Sequence, residues 1–349
     1  MKQIPRASGH HMDSLRAMPK FELHVHIEGA ADADTYFDIA RKNGARLPVK
    51  SRQEWRRYFE FRNFPHFIEV YTIAVNCMHK TDDYGMLIDN FFKHQAEQNI
   101  VYSEAYLSAS FIIERFEDEA VLDAIEAAVI KGQEKYGCVV KLIPDIARMV
   151  PETQDRVLEF VLKGKRRDLF IGLGLGGLEN GFPPGLFIES FEEARRGGLR
   201  TVAHAGEAAG PESIWGAIDE LKVERIGHGV RCMEDPALVE TLRQRQIPLE
   251  VCPVSNYCLG IVKQGEMHPI REMLDAGLYC CINSDDPAMF STNLINEYEM
   301  LASLGFSGPE LHQLNQNALQ ASFLDDFQKQ NYLDRQIVWE TNTNFFSPD

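Results

Sequence analysis

The sequence predicts an α/β protein built on eight parallel strands, either doubly wound or closed into a (β/α)8 barrel. Three observations carry this expectation. From about residue 99, short β-branched or apolar runs alternate with helical patterns, and Gly, Pro or Asp marks the joints. With one run near the start, the strand candidates number eight, and strands alternating with helices favour a parallel sheet. No internal repeat, low-complexity stretch or Pro/Ser-rich linker divides the 349 residues, a length that one barrel accommodates.

Taken in order, residues 1–17 open on "MKQIPRASGHHM", which lacks an apolar signal core. They read as a flexible leader outside a single domain over 18–340. Phe21–Ile27 is the first strand, and residues 31–98 form a long, largely helical insertion after it. The remaining strands are Ile100–Ser108, Cys138–Ile146, Leu169–Gly176, Arg200–His204, Arg225–His228, Pro248–Cys252 and Leu278–Asn283. Between the second and third, Val121, Leu122, Ile125, Ala128 and Val129 recur at helical steps. Gly197-Gly198 closes a helix before its strand, as a helix C-terminus should. Residues 292–335 add helices after the eighth strand.

Composition narrows the function classes. A formal charge of −16 argues against a nucleic-acid partner, which needs Lys and Arg against phosphate. "KGKRR" (Lys163 to Arg167), the densest basic run, reads as a solvated turn. Seven scattered cysteines without a C-x-x-C pair read as reduced thiols of a cytoplasmic protein. No apolar run reaches the length of about 18 residues that a membrane span needs. Oligomeric state leaves no signature.

The chemistry gathers at strand ends. In "KFELHVHIEGA", His24 and His26 lie at i and i+2, so on a strand both imidazoles face one point. Alone, H-x-H is a weak signal in a chain with eleven histidines. "TVAHAGE" places His204 at another strand end with Glu207 three residues on. "ERIGHGV" places His228 between two glycines that permit close backbone approach. "CINSDDPAMF" ends the eighth strand with Asp285 and Asp286. In a barrel these ends share one face, the face that carries catalysis. Three imidazoles and a carboxylate suit one zinc ion, or another divalent transition metal, with a position left for water. Such a metal lowers the pKa of that water towards about 7. Glu207 and His228 are then free for proton work.

"GLGLGG" (Gly172 to Gly177) satisfies the dinucleotide fingerprint, but the turn sequence "LENGFPPG" follows where a helix is required. Its glycines read as allowing the backbone close to a flat substrate. A bridging strand-end Lys, a mark of dinuclear amidohydrolases, is missing, since Lys141 lies mid-strand.

"MPKFELHVHIEGA", "TVAHAGE", "ERIGHG", "EVCPVSN" and "NSDDPAMF" together resemble the adenosine deaminase family of the amidohydrolase superfamily, from residue 18 onward. The resemblance implies a (β/α)8 barrel with one Zn2+ that hydrolyses the 6-amino group of a small-molecule purine to 6-oxo, releasing ammonia. By this resemblance His24, His26, His204 and Asp285 are the metal ligands, and Asp285 also accepts a hydrogen bond from the attacking water. Glu207 protonates the purine ring, and His228 orients the attacking water and helps take its proton. Asp286 bonds the imidazole side of the purine, and the Gly177 backbone N–H bonds its pyrimidine side.

The sequence departs from the family at Glu28, where adenosine deaminases proper carry the Asp that meets the ribose 5′-hydroxyl. Glu there resembles the adenine deaminases and the 6-aminodeoxyfutalosine deaminases. Gly177-Leu178-Glu179 replaces the Ser-Ser-Glu common in adenine deaminases. The expected substrate is therefore an adenine nucleoside, adenosine or a 5′-modified relative such as 6-aminodeoxyfutalosine. Free adenine is the alternative, and a cyclic amide processed by another mononuclear amidohydrolase a more remote one. Phe61 to Val75, with Phe61, Phe64, Phe67 and Tyr71, reads as a lid over the ribose side.

Overall fold

The computed structural model describes residues 9–343. Its eight strands are β1 (Lys20–His26), β2 (Ile100–Leu107), β3 (Val139–Ala147), β4 (Gly172–Gly176), β5 (Arg200–Ala205), β6 (Arg225–His228), β7 (Leu249–Val251) and β8 (Cys280–Ile282). They pair in parallel in sequence order. A parallel bridge between Val25 and Asp285 brings the last strand's extension onto the first. Of the two topologies left open by the alternation, the (β/α)8 barrel is the one formed.

The first strand explains how two kinds of inward residue coexist. Phe21 and Leu23 pack with Tyr102, Cys281 and Leu319, the last on the helix Gly308–Ala321 beneath the barrel. His24 and His26 instead face the opposite mouth. Between Glu22 and Val25 the pairing with β2 slips, and the Asn283 carboxamide oxygen accepts the N–H groups of both Leu23 (2.8 Å) and His24 (3.0 Å). A bulge shifts the period-2 alternation by one residue. Above the lower plug, Tyr106, Ile143 and Val202 fill the barrel's interior.

The insertion after β1 is helical throughout its main elements: Ala33–Asn43, Arg52–Phe59, Phe64–Asn76 and Asp82–Glu97. Ser51 and Glu54 form a reciprocal capping box at the second of these, satisfying N–H groups that the helix cannot.

Several expectations are adjusted. Residues 1–8 of the expected leader lie outside the described residues, and Gly9–Ala17 form a helix whose Leu15 is buried in the core. "KGKRR" is not a turn. Lys163 to Arg166 form the last turn of the helix Gln154–Arg166 and Arg167 caps it; Lys163 bonds Asp118, and Arg167 bonds Glu119, Asp123 and Glu126 of the helix Asp118–Tyr136. All seven cysteines are free thiols. No described helix is long and apolar enough to cross a membrane.

Candidate active site

Six of the sequence-predicted residues meet at the C-terminal mouth of the barrel. His24, His26, His204 and Asp285 offer ligand atoms that all lie within 4.8 Å of one another. Asp285 Oδ1 sits 3.5 Å from His24 Nε2 and 3.3 Å from His26 Nε2, and His26 Nε2 lies 3.1 Å from His204 Nε2. The outward atoms are occupied elsewhere. His24 Nδ1 bonds Glu250 at 2.9 Å, His204 Nδ1 bonds the Leu175 carbonyl at 3.0 Å, and Ser255 Oγ donates to Asp285 Oδ2 at 2.6 Å. Each bond fixes a ring or carboxylate so that its remaining atom points inward. His24 Nε2 is buried with no hydrogen-bond partner. Three imidazole nitrogens and one carboxylate oxygen converging on a point, one of them an orphaned buried atom, fit a divalent metal ion.

Backbone geometry contributes. His228 (φ 62°) and Asp285 (φ 64°) both adopt left-handed conformations, which cost a non-glycine residue about 1–2 kcal/mol. Two glycines make room for the site. A Cβ at Gly227 would lie 2.7 Å from His24 Cε1, and one at Gly29 would lie 1.7 Å from Asp286 Oδ1. The glycine of "HIEGA" is therefore explained by the carboxylate of a distant motif.

Glu207 Oε1 lies 3.6 Å from His228 Nε2 and is buried without a partner. Burial, then the charges of Asp285 and Glu179, push the Glu207 carboxyl well above its usual range. The loop that carries it is held by Glu179, whose carboxylate accepts the N–H groups of Glu207 and Ala209. Asp286 is likewise buried, and burial with the neighbouring Asp285 raises its carboxyl far above the ordinary value. Gly177 stands exposed at the rim with φ 84°, beside Met149.

Glu28 is 1 % exposed. Its Oε1 accepts the Ser108 N–H at 3.1 Å, its Oε2 is buried without a partner, and burial pushes its carboxyl up to about 7. Ser108 Oγ in turn bonds the Tyr71 hydroxyl at 2.9 Å, tying the helix Phe64–Asn76 to Glu28. Of the other aromatics expected to form a lid, Phe67 stacks obliquely on Phe290 at 4.8 Å, Phe61 meets Phe290 edge-on at 5.7 Å, and Phe64 is exposed.

Three features escaped the sequence reading. Glu250 lay inside a quoted motif without a role. It links His24 to Arg225 (2.5 Å), which also pairs with Glu104 (2.6 Å), all three being fully or almost fully buried. Arg148 is fully buried and donates to the His204 carbonyl at 2.6 Å, fixing the end of β5. Asp145, on β3, turns its carboxyl inward, and burial together with Glu28 pushes it up to about 8. Its presence corrects the reading of "GLGLGG". A Cβ at Gly174 would press on Tyr106 and Asp145 at 3.0 Å, and one at Gly176 would lie 2.6 Å from Asp145 Oδ2. These glycines accommodate two side chains of the chain itself.

The sequence profile described as adenosine deaminase matches residues 19–339, nearly the whole chain. The chain belongs to the adenosine deaminase family. Within that family it is 38 % identical over 323 residues to an adenine deaminase of Acinetobacter baylyi, covering 92 % of this chain and 97 % of that one. The crystal structure of an adenine deaminase from Arthrobacter aurescens superposes with a TM-score of 0.87 at 34 % identity, over 93 % of this chain and 99 % of that one. A zinc-bound amidohydrolase from Burkholderia ambifaria superposes with a TM-score of 0.88 at 26 % identity, over 98 % of this chain and 95 % of that one. The protein is a hydrolase acting on C–N bonds. The relatives carry the name of the free-base enzyme, so they favour adenine over the nucleoside expected from sequence.

Proposed function

We propose that the protein is a metal-dependent adenine deaminase, converting the free base to its 6-oxo form with release of ammonia. The observation that carries this reading is Glu28, a buried carboxyl with one oxygen on the Ser108 N–H and the other unpartnered. Free adenine presents an N9–H, a donor that a nucleoside replaces with a bulky glycosidic carbon. A carboxyl oxygen suits the first and is crowded by the second. Gly174 and Gly176 of the glycine-rich turn make room for Tyr106 and Asp145, so they do not bear on the choice between base and nucleoside.

His24, His26, His204 and Asp285 would hold the metal, and zinc is the ion their chemistry fits best. When bound, the metal lowers the pKa of a coordinated water so that a nucleophile exists at neutral pH. The chain's own residues do the rest. Attack at an aromatic carbon abolishes ring stabilisation, so the ring nitrogen must gain a proton as the nucleophile adds. Glu207, held protonated by burial and by the charges beside it, donates that proton. Asp286 bonds the imidazole edge and the Gly177 backbone N–H the pyrimidine edge.

The test is ammonia release by the purified, zinc-loaded enzyme on adenine, adenosine, methylthioadenosine and 6-aminodeoxyfutalosine. Adenine should give the highest specificity constant. A nucleoside turned over better than adenine would overturn the free-base reading, and no turnover of any would overturn 6-aminopurine deamination.

A further inference from the structure

The loop after β7 contains a hydrogen-bonded chain whose polarity is set at one end by the backbone. The Ile270 N–H, which can only donate, gives its hydrogen to His268 Nδ1 at 3.1 Å. His268 is 2 % exposed, and burial pushes its pKa down to about 4, so the ring is neutral and its proton sits on Nε2. That Nε2 lies 3.1 Å from Asn256 Oδ1, which must accept. The Asn256 carboxamide is thereby oriented, and its Nδ2 faces His228 Nδ1 at 3.4 Å as a donor. Asn256 is fully buried on the helix Pro253–Cys258, and His228 is 1 % exposed, so water has no access to compete.

We infer that His268 and Asn256 are positioning residues that hold His228 in the tautomer with its hydrogen on Nε2. The consequence concerns the reaction. His228 Nε2 points toward Glu207 Oε1 at 3.6 Å and toward the mouth, and in this tautomer it offers a hydrogen, not a lone pair. It orients and stabilises the reacting oxygen as a donor, and it does not serve as the base that removes a proton from it. This departs from the role implied by the family resemblance. The tautomer assignment is independent of the substrate. Only its kinetic arm rests on the adenine deaminase reading.

Nitrogen-15 NMR of the zinc-loaded, 15N-histidine-labelled protein reads the tautomer directly, with His228 signals assigned by their loss in His228→Gln. The expected pattern is a protonated Nε2 and an unprotonated Nδ1; a protonated Nδ1 in the wild type overturns the proposal whether or not the enzyme deaminates adenine. Asn256→Asp replaces the amide donor by an acceptor and should place the hydrogen on His228 Nδ1. It should lower kcat on adenine by about 10⁴-fold, as for a histidine trapped in the wrong tautomer, with KM within about threefold. An unchanged tautomer and kcat in that variant would overturn the inference. A third arm does not depend on that variant folding. His268→Gln keeps a donor toward Asn256 and should retain kcat within about tenfold and the wild-type His228 signals, whereas His268→Leu should lose both. Equal loss in the two His268 variants, with the His228 signals unmoved, would reduce His268 to packing.

Discussion

Among the side chains that could hold a metal, His24, His204 and Asp285 are each braced from behind. His24 leans on Glu250, Glu250 on Arg225, and Arg225 on Glu104, while Ser255 holds Asp285. Burial alone would push the Glu250 carboxyl up, but Arg225 and His24 more than reverse this and hold it below its usual range. The group formed by Glu28, Asp145 and Asp286 is built differently. Glu28 has one oxygen without a partner, and burial pushes all three carboxyls up, with the charge of Glu28 adding at Asp145 and that of Asp285 adding at Asp286. The bonds behind the ligands make the first group rigid, holding in place three of the four atoms that could meet at a metal. The second shifts its carboxyls toward the protonated form, and a neutral carboxyl both donates and accepts, as the proposed heterocycle edge of alternating N and N–H would require. Rigid bracing and raised carboxyls thus sit side by side at the ends of β1 and β8, on residues as close as Asp285 and Asp286.

The contrast breaks most visibly at Arg225. Arg225→Leu leaves Glu104 and Glu250 buried without their cation, and should destabilise the fold by about 3–5 kcal/mol, measured by urea unfolding. It should also weaken zinc binding, measured by competition with a chelating dye. An equally stable variant would show that the bracing is dispensable. Next, Glu207→Gln should lower kcat on adenine by about 10³-fold while zinc content by elemental analysis stays at the wild-type level. Substantial residual turnover would remove Glu207 from the acid role.

Smaller effects sharpen the other group. Gly29→Ala places a methyl group 1.7 Å from Asp286 Oδ1 and must displace that carboxylate. Specificity for adenine should fall about 10²-fold with zinc affinity unchanged, because only substrate alignment is disturbed. The smallest change is Asp145→Asn. A carboxyl whose folded pKa is raised to about 8 binds a proton that the unfolded chain has lost, so its stabilising contribution falls as pH rises from about 4 through 8. The Asn variant lacks that loss. Its melting temperature relative to wild type should rise between pH 6 and 9, and a gap that stays flat would remove Asp145 from this account.

The strand ends were legible in the sequence because strand geometry is local. Alternation put His24 and His26 on one face, and apolar runs ending in His204, His228 and Asp285 marked where each strand stops. The substrate was less legible. Gly177-Leu178-Glu179 read as nucleoside-like and "GLGLGG" as clearance for a flat substrate, yet Gly174 and Gly176 answer to Tyr106 and Asp145, residues about 30 to 70 positions away that no local pattern connects to them. The reading of "KGKRR" as a turn failed for a related reason: cations at a helix C-terminus and cations in a loop look alike until the acidic helix beside them is known.

Periodicity and residue chemistry along the chain were enough for eight strands alternating with helices and for the set of metal-competent side chains at their ends. Packing in three dimensions settled the rest: closure of the sheet into a barrel, the bulge in β1, the room made by Gly29 and Gly227, the brace through Glu250 and Arg225, and the polarity of the chain from Ile270 to His228. These depend on which buried atoms face one another across the barrel. A buried donor or acceptor must find its partner in space, and spacing along the chain does not say which partner that is.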